Sequence, residues 1–205
     1  MMILCPHFLI DIMKNLVIIG AGGMGRTIFD VARESIGYGI EYTIKGFIDD
    51  NLSALDGFED YPPMLGTISH YLPEVDDVLM ERNAKFINIV HSTARIGSNV
   101  RMGEGNVIGA FTSLGADCSI GSYNMIQSYT VIGHDAKIGD FNRIDTHVTC
   151  VGGIQIGNET TIHTSAVINH KVIVEDNVHV GACSFVIRRV KAGTTVFGNP
   201  AKKLV

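Results

Sequence analysis

The sequence is short of basic residues, of paired cysteines and of long apolar runs, and each shortage removes a class of protein. Lys and Arg total 16 against 21 Asp and Glu, giving a formal net charge of -5 and a pI near 5.9. That balance excludes a broad nucleic-acid or anionic-membrane surface, which needs clustered cations, and leaves only local basic pockets. Cys5, Cys118, Cys150 and Cys183 have neither close pairing nor metal-type spacing. They read as reduced, small, mostly buried residues of a cytoplasmic protein. The opening MMILCPHFLIDIMKN holds about ten uncharged residues before Asp11, too few for a bilayer span and without the basic start of a signal peptide. Met13 directly precedes KNLVIIGAGG, so it is the expected natural start, with residues 1–12 an extra segment. Charged residues make up only 18%, hydrophobic residues 46%, and the mean hydropathy is +0.24, the profile of a compact chain with apolar surface to hide in an oligomer. A length of 205 residues accommodates two small domains, each with its own core.

What is present is a repeat. Every sixth residue from Val90 is apolar: Ile96, Met102, Ile108, Leu114, Ile120, Ile126, Ile132, Ile138, Ile144, Cys150, Ile156, Ile162, Ile168, Val174, Val180, Val186 and Ala192, giving 18 positions in one register. Glycine follows at 97, 103, 109, 115, 121, 133, 139, 157, 181 and 193, and a small, β-branched or Asn residue often lies two before, as at Ala94, Asn106, Thr112, Cys118, Thr130 and Ala136. A helix repeats at 3.6 and a half-buried strand at 2, so neither alone produces a period of six; short strands joined by tight turns do. Three hexads make one turn of a triangular coil, with the aliphatics stacked inward and Gly or Asn expected at positive φ on the corners. At the ordinary inter-strand spacing this gives about six coils and a prism about 29 Å long.

The segment KNLVIIGAGGMGRTIFDVARESIG has a different grammar: an apolar strand at 16–19, a Gly-rich turn, and an amphipathic helix over 25–36 offering Ile28, Phe29, Val31 and Ala32 for burial. YTIKGFIDDN supplies a second strand ending at Asp49 and Asp50, and FINIV at 86–90 another. The domains are therefore expected at 13–88, a small α/β unit, and 89–205, the coil. Gly20, Gly22 and Gly25 form G-x-G-x-x-G in strand-turn-helix context, so backbone amides at a helix start can meet a phosphate or another polar group. A nicotinamide dinucleotide is one occupant, although the short segment leaves little room for the second mononucleotide half. Close helix-strand packing is another use for the same glycines.

The hexads resemble the hexapeptide-repeat, left-handed parallel β-helix acyltransferases, and VKAGTTVFGNPAKKL resembles the ending of such coils near bound coenzyme A. The left hand is implied by that resemblance, since parallel crossovers in general favour the right. Taken in order, IIGAGGMGRT, GFIDD, INIVHSTA, VIGHD and GNPAK resemble the sugar O-acyltransferase family, which includes sialic acid O-acetyltransferases and N-acetyltransferases of nucleotide-linked 4-amino sugars. The resemblance implies a Rossmann-like N-terminal domain that holds a nucleotide sugar, a β-helix that holds acetyl-CoA as cosubstrate, a homotrimer, and a role in surface glycan biosynthesis. His134 matches that family's general base, and Asp135 is the adjacent acid that tunes it. Imidazole, with an unperturbed pKa of about 6.5, can take a proton near neutral pH. Gly152 lies 18 residues on, hence one coil above His134, where its N–H is placed to act as an oxyanion donor and a side chain would obstruct. His170, two coils on, is a neighbour rather than a second base. The same resemblance puts Arg143, Thr164, Gly181, Ala182 and Lys202 with the coenzyme, and Gly22, Gly23, Met24, Asp49, Asp50 and Gly66 with the nucleotide sugar.

Three residues depart from the family pattern. Met24 replaces the His of GGHG, Gln127 the Asn of INT, and Arg143 the His of FVHI; Arg143 can pair with a coenzyme phosphate instead. The expected chemistry is acetyl transfer to an amino group. O-acetylation of a sialic-acid-like sugar, an NAD-binding role and a non-catalytic trimeric scaffold stay as alternatives. A zinc site is not expected, because His134, His147, His163, His170 and His179 sit at different offsets within their hexads and do not converge as a ligand set.

Overall fold

The computed structural model describes residues 13–68 and 86–204; residues 1–12, including Cys5 and the expected upstream segment, lie outside the described residues. The chain divides into two compact units, 1–78 and 79–205.

In the first unit, strands β1 (Lys14–Ile19), β2 (Tyr42–Ile48) and β3 (Met64–Gly66) pair in parallel in that order, with helix α1 (Gly23–Arg33) between β1 and β2. Gly25, Phe29 and Ala32 recur at i, i+4 and i+7, one stripe of a helix, and are its buried residues. Phe47, fully buried, packs near Phe29 and Tyr61, whose rings meet edge-on at 5.2 Å. The helix stops at Arg33 rather than at 36, and its last-turn carbonyl Ala32 O accepts both from Ser35 N at 3.3 Å and from the buried Tyr42 hydroxyl at 3.0 Å. The FINIV expectation needs correction. Phe86–Asn88 are not strand, and Ile89–Val90 pairs with Val107–Ile108 in the coil, while β3 supplies the third strand of the small sheet.

The second unit is a three-faced parallel β-helix. Face one carries seven parallel rungs, from Ile89–Val90 to Thr195–Phe197, and ends with antiparallel Lys202–Lys203. Face two carries six, from Arg95–Ile96 to Phe185–Val186, and face three five, from Arg101–Met102 to Ile173–Val174. Residues 18 apart pair throughout the body, as in Ile126 with Ile144. Ile108, Ile126, Ile144, Ile162, Ile132 and Ile168 are at most 1% exposed. The sixfold register holds to Val186 and then breaks: Ala192 is exposed, Val190 is buried and bridges Val174, and His179 pairs with Thr195, 16 residues on. Dropping two residues from the last coil puts a valine where the period would have put an alanine, and the larger side chain fills the core.

The corners also differ from expectation. Positive φ falls three residues after the core-facing positions, on Gly or Asn at Asn99, Gly105, Gly153, Asn177 and Gly193, but at most corners on other residues, including Asp117, Tyr123, Tyr129, Asp135, Phe141, His147, Ser165 and Lys171. The left-handed conformation costs roughly 1–2 kcal/mol per residue, offset by roughly 0.5–1.5 kcal/mol for each aromatic pair. Phe111, Tyr129 and His147 stack up one corner at 5.0 Å, and Tyr123 on Phe141 up another at 5.0 Å. From Phe111 onward each corner N–H also has an acceptor one coil back, such as Tyr129 N to Ala110 O at 2.9 Å. The glycines that follow the aliphatics serve proximity instead. A Cβ on Gly133 would lie 2.5 Å from Gly152 N, so the next coil leaves it no space.

Inside the prism runs a buried amide ladder. Asn106 Oδ1 accepts from Asn124 N and Nδ2, Asn124 Oδ1 from Asn142 N and Nδ2, and Asn142 Oδ1 from Thr160 N, all at 2.8–3.0 Å. Changing Asn124 to Ala strands two Asn142 donors in the core, at about 1–3 kcal/mol each; chemical denaturation should show a loss of about 3 kcal/mol. Of the cysteines, Cys118 and Cys150 are buried, with burial pushing the Cys150 thiol up to about 12, whereas Cys183 is exposed on a corner.

Candidate active site

His134 and Asp135 occupy the corner after face two. Successive side chains along a strand point to opposite faces, but Asp135 has φ 56°, and this left-handed bend brings its carboxylate beside the preceding ring. His134 Nδ1 lies 2.7 Å from Asp135 Oδ2. A carboxylate only accepts, so Nδ1 carries a proton toward Asp135, the tautomer that leaves the lone pair of an uncharged ring on Nε2. Both side chains are open to solvent, at 64% and 65% exposure.

Gly152 sits one coil on, as the 18-residue spacing requires. A Cβ built on it would lie 2.5 Å from His134 Nε2 and 2.7 Å from Cε1, so the ring occupies the space a side chain there would fill. Gly153 N donates to His134 O at 2.7 Å, locking the two coils in register. At the corner after face three, the equivalent amides are claimed by side chains: Ser122 N by Asp140, Asp140 N by Asn158 and Asn158 N by Asp176, at 2.7–2.8 Å. At the His134 corner no described residue accepts from Gly152 N–H. This corner therefore combines a tethered imidazole with an unclaimed backbone donor. His170 is exposed one further coil on; its Cε1 would lie 3.9 Å from a Cβ on Gly153.

The residues assigned to the coenzyme lie elsewhere on the coil. Thr164 and Ala182 are exposed on successive coils at the corner after face one, beside Gly181, and Arg143 faces outward from face one. Within one chain this set and His134 occupy different edges. Lys202 belongs to the C-terminal end, where a cavity of about 400 Å³ is lined in part by Arg188, Arg189, Lys191, Lys202 and Lys203. Of these cations, Arg189 is paired with Glu175 at 2.6 Å.

In the first unit, Gly22, Gly23 and Met24 are exposed at the start of α1. Asp49 reaches back to this loop: Oδ2 accepts from Ala21 N at 2.8 Å, Oδ1 from Asn51 N at 2.9 Å, and Asp49 N donates to Gly66 O at 3.1 Å. One carboxylate thus ties the glycine loop to the end of β2, with Asp50 exposed alongside and Gly66 beneath. The loop amide that a phosphate would approach is already occupied by an anion. Gly25 serves packing, since any Cβ there would overlap Gly20 O. The two backbone donors hold the Asp49 carboxyl below its ordinary value. A depressed acid contributes stability that is complete above its unfolded pKa and disappears as pH falls through the folded one. The melting-temperature gap between the parent protein and Asp49→Ala should accordingly be full near about pH 6 and close below about pH 4.

One residue was not visible in the sequence as a site residue. Asp145, with its side chain 7% exposed, accepts from Gln127 Nε2 at 2.9 Å and Arg143 Nε at 2.7 Å through Oδ1, and from His163 Nδ1 at 3.1 Å through Oδ2. The only signal was that Gln127, Asp145 and His163 stand 18 residues apart in place of glycine.

Comparison with known proteins accords with this architecture. Residues 15–80 match the family model of the PglD N-terminal domain. No curated protein matches. Among solved structures, the acetyltransferase domain of PglB from Neisseria gonorrhoeae FA1090, in complex with acetyl coenzyme A, superposes with a TM-score of 0.80 at 25% identity, covering 94% of this chain and 100% of that one. A histidine-to-asparagine mutant of perosamine N-acetyltransferase from Caulobacter crescentus, in complex with CoA and GDP-perosamine, gives 0.79 at 22% identity, covering 94% and 97%. WeeI from Acinetobacter baumannii AYE gives 0.58 at 22%, covering 93% and 100%. Residues 15–80 are thus similar to the PglD N-terminal domain, and the whole chain shares the fold of these solved structures, a small parallel sheet followed by a three-faced β-helix.

Proposed function

We propose that this chain is an acetyl-CoA-dependent N-acetyltransferase acting on the amino group of a nucleotide-linked amino sugar. The observation that carries the reading is the corner where the His134 ring, held by Asp135, lies over a glycine whose N–H has no acceptor among the described residues. His134 Nε2 takes the proton as the sugar amine attacks the thioester carbonyl, Asp135 keeps the ring in the required tautomer, and Gly152 N–H meets the developing oxyanion. Transfer is direct: the tetrahedral intermediate collapses to the amide as the C–S bond breaks, and coenzyme A leaves as the thiol with the proton that His134 had taken. The N-terminal unit takes the nucleotide through the loop of Gly22, Gly23 and Met24, with Asp49, Asp50 and Gly66 accepting or framing the polar edge of a base or ribose.

The relatives support the substrate classes, since perosamine N-acetyltransferase was crystallised with CoA and GDP-perosamine and the PglB domain with acetyl coenzyme A. Arg143, Thr164, Gly181 and Ala182 are on a different edge from His134, and in this reading the coenzyme meets the first set on one protomer and His134 on its neighbour. A homotrimer supplies that arrangement. The test is release of free thiol from acetyl-CoA with a panel of UDP-, GDP- and dTDP-linked amino sugars and their deaminated counterparts. Release is expected only with an amine-bearing acceptor. Release with hydroxyl acceptors alone would assign O-acetylation, and no release with any member would reject the transferase reading.

A further inference from the structure

The buried Asp145 carboxylate takes no part in the chemistry at His134, yet it gathers three side chains from three successive coils. We propose that Asp145 is a positioning residue, braced by Gln127 and His163, that holds Arg143 so that its outer guanidinium nitrogens, with Thr161 and His179, form a diphosphate subsite on face one.

Burial and register carry the argument. Asp145 is 7% exposed whereas Arg143 is 52% exposed, so the carboxylate is fixed and the cation projects outward from it. Tying down Nε leaves both terminal amino groups in one plane facing solvent, the fork that matches two phosphoryl oxygens. Arg143 pairs in register with Thr161, and Thr161 with His179. The outward row of face one therefore changes from Val107 and Met125 to three consecutive donor-bearing side chains. Among the described residues, the Arg143 terminal nitrogens, the Thr161 hydroxyl and the His179 ring make no hydrogen bond. Rungs stand about 4.8 Å apart, so the three donors span about 10 Å. A single carboxylate is too short to meet the whole row, and two linked phosphoryl groups reach further along it. The Asp145 charge offsets that of Arg143, which makes hydrogen-bond geometry, rather than excess charge, the source of selectivity.

The subsite rests on the proposed reaction only for the source of the diphosphate, which is the coenzyme or the nucleotide sugar. Inorganic pyrophosphate titrated into the full chain by calorimetry tests the site without turnover. Binding is expected in the parent protein, weakened at least about tenfold in Asp145→Asn and in Arg143→Met. Arg143→Met leaves Asp145 its bonds to Gln127 and His163, so it is the second variant if Asp145→Asn is unstable, with the melting temperature of each variant measured beside its binding. Coenzyme A and UDP, GDP and dTDP are then titrated separately, and the ligand whose Kd rises about tenfold in both variants is the source. In turnover, the same variants should raise KM for that ligand with kcat unchanged. Absence of pyrophosphate binding to the parent protein, equal binding to all three proteins, or an Asp145→Asn that lowers only the melting temperature would each overturn the proposal. Pyrophosphate binding in a chain that transfers no acetyl group would reject the reaction and leave the subsite standing.

Discussion

Replacing His134 by Ala should lower acetyl transfer by about 10²–10⁴-fold, the range lost when a positioned general base is removed. The coil should be untouched, because the side chain is 64% exposed and, among the described residues, its side-chain partner is the neighbouring Asp135 alone. Circular dichroism, melting temperature and sedimentation of the variant should therefore overlay those of the parent. A kcat within about twofold of the parent would remove His134 from the mechanism, and the edge bearing His163 and Asp145 would become the place to look.

The second large effect separates two glycines of neighbouring coils. Gly152→Ala directs its new methyl at the imidazole, 2.5 Å from Nε2, and an exposed ring can swing aside. Stability should change by less than about 1 kcal/mol, while activity should fall by at least about 10²-fold, because a base displaced by about an ångström is no longer aligned. Gly133→Ala directs its methyl at backbone, 2.5 Å from Gly152 N and 2.9 Å from its Cα, where nothing can rotate away. That variant should lose about 1–3 kcal/mol or more in denaturation. Combining Gly152→Ala with His134→Ala should cost no more activity than His134→Ala alone, since groups acting as a unit are not additive. Additive losses would separate the glycine from the base.

Much of this architecture could be read in the chain because its period is carried by buried positions. A residue such as Ile144, sealed between Ile126 and Ile162, must be aliphatic, and six-residue spacing has no other common structural source. The vertical alignment of Gly152 with His134 followed from the same arithmetic. The features that escaped depend on neighbours 16 or 18 residues away. Left-handed Tyr129 is unfavourable when judged by its own backbone and becomes acceptable only when Phe111 and His147 stack on it. Asp145 reads as an ordinary corner acid until Gln127 and His163 are placed above and below it. The two-residue shortening after Val186 was hidden because Ala192 satisfied the period while Val190 satisfied the core. In the first unit, Asp49 could be recognised as an acid following a glycine loop, but its bond to Ala21 N depends on how β2 lies against β1.

The reversal at Lys202–Lys203 bears on solubility. A stack of parallel rungs ends in a row of unpaired amides and carbonyls, an open template on which another molecule could continue the same ladder. Here the last rung on face one is met by a strand running the other way, carrying two adjacent ammonium groups. A copy adding to face one would meet both a mismatched bonding pattern and like charge, so Lys202–Lys203 acts as a terminator of that ladder.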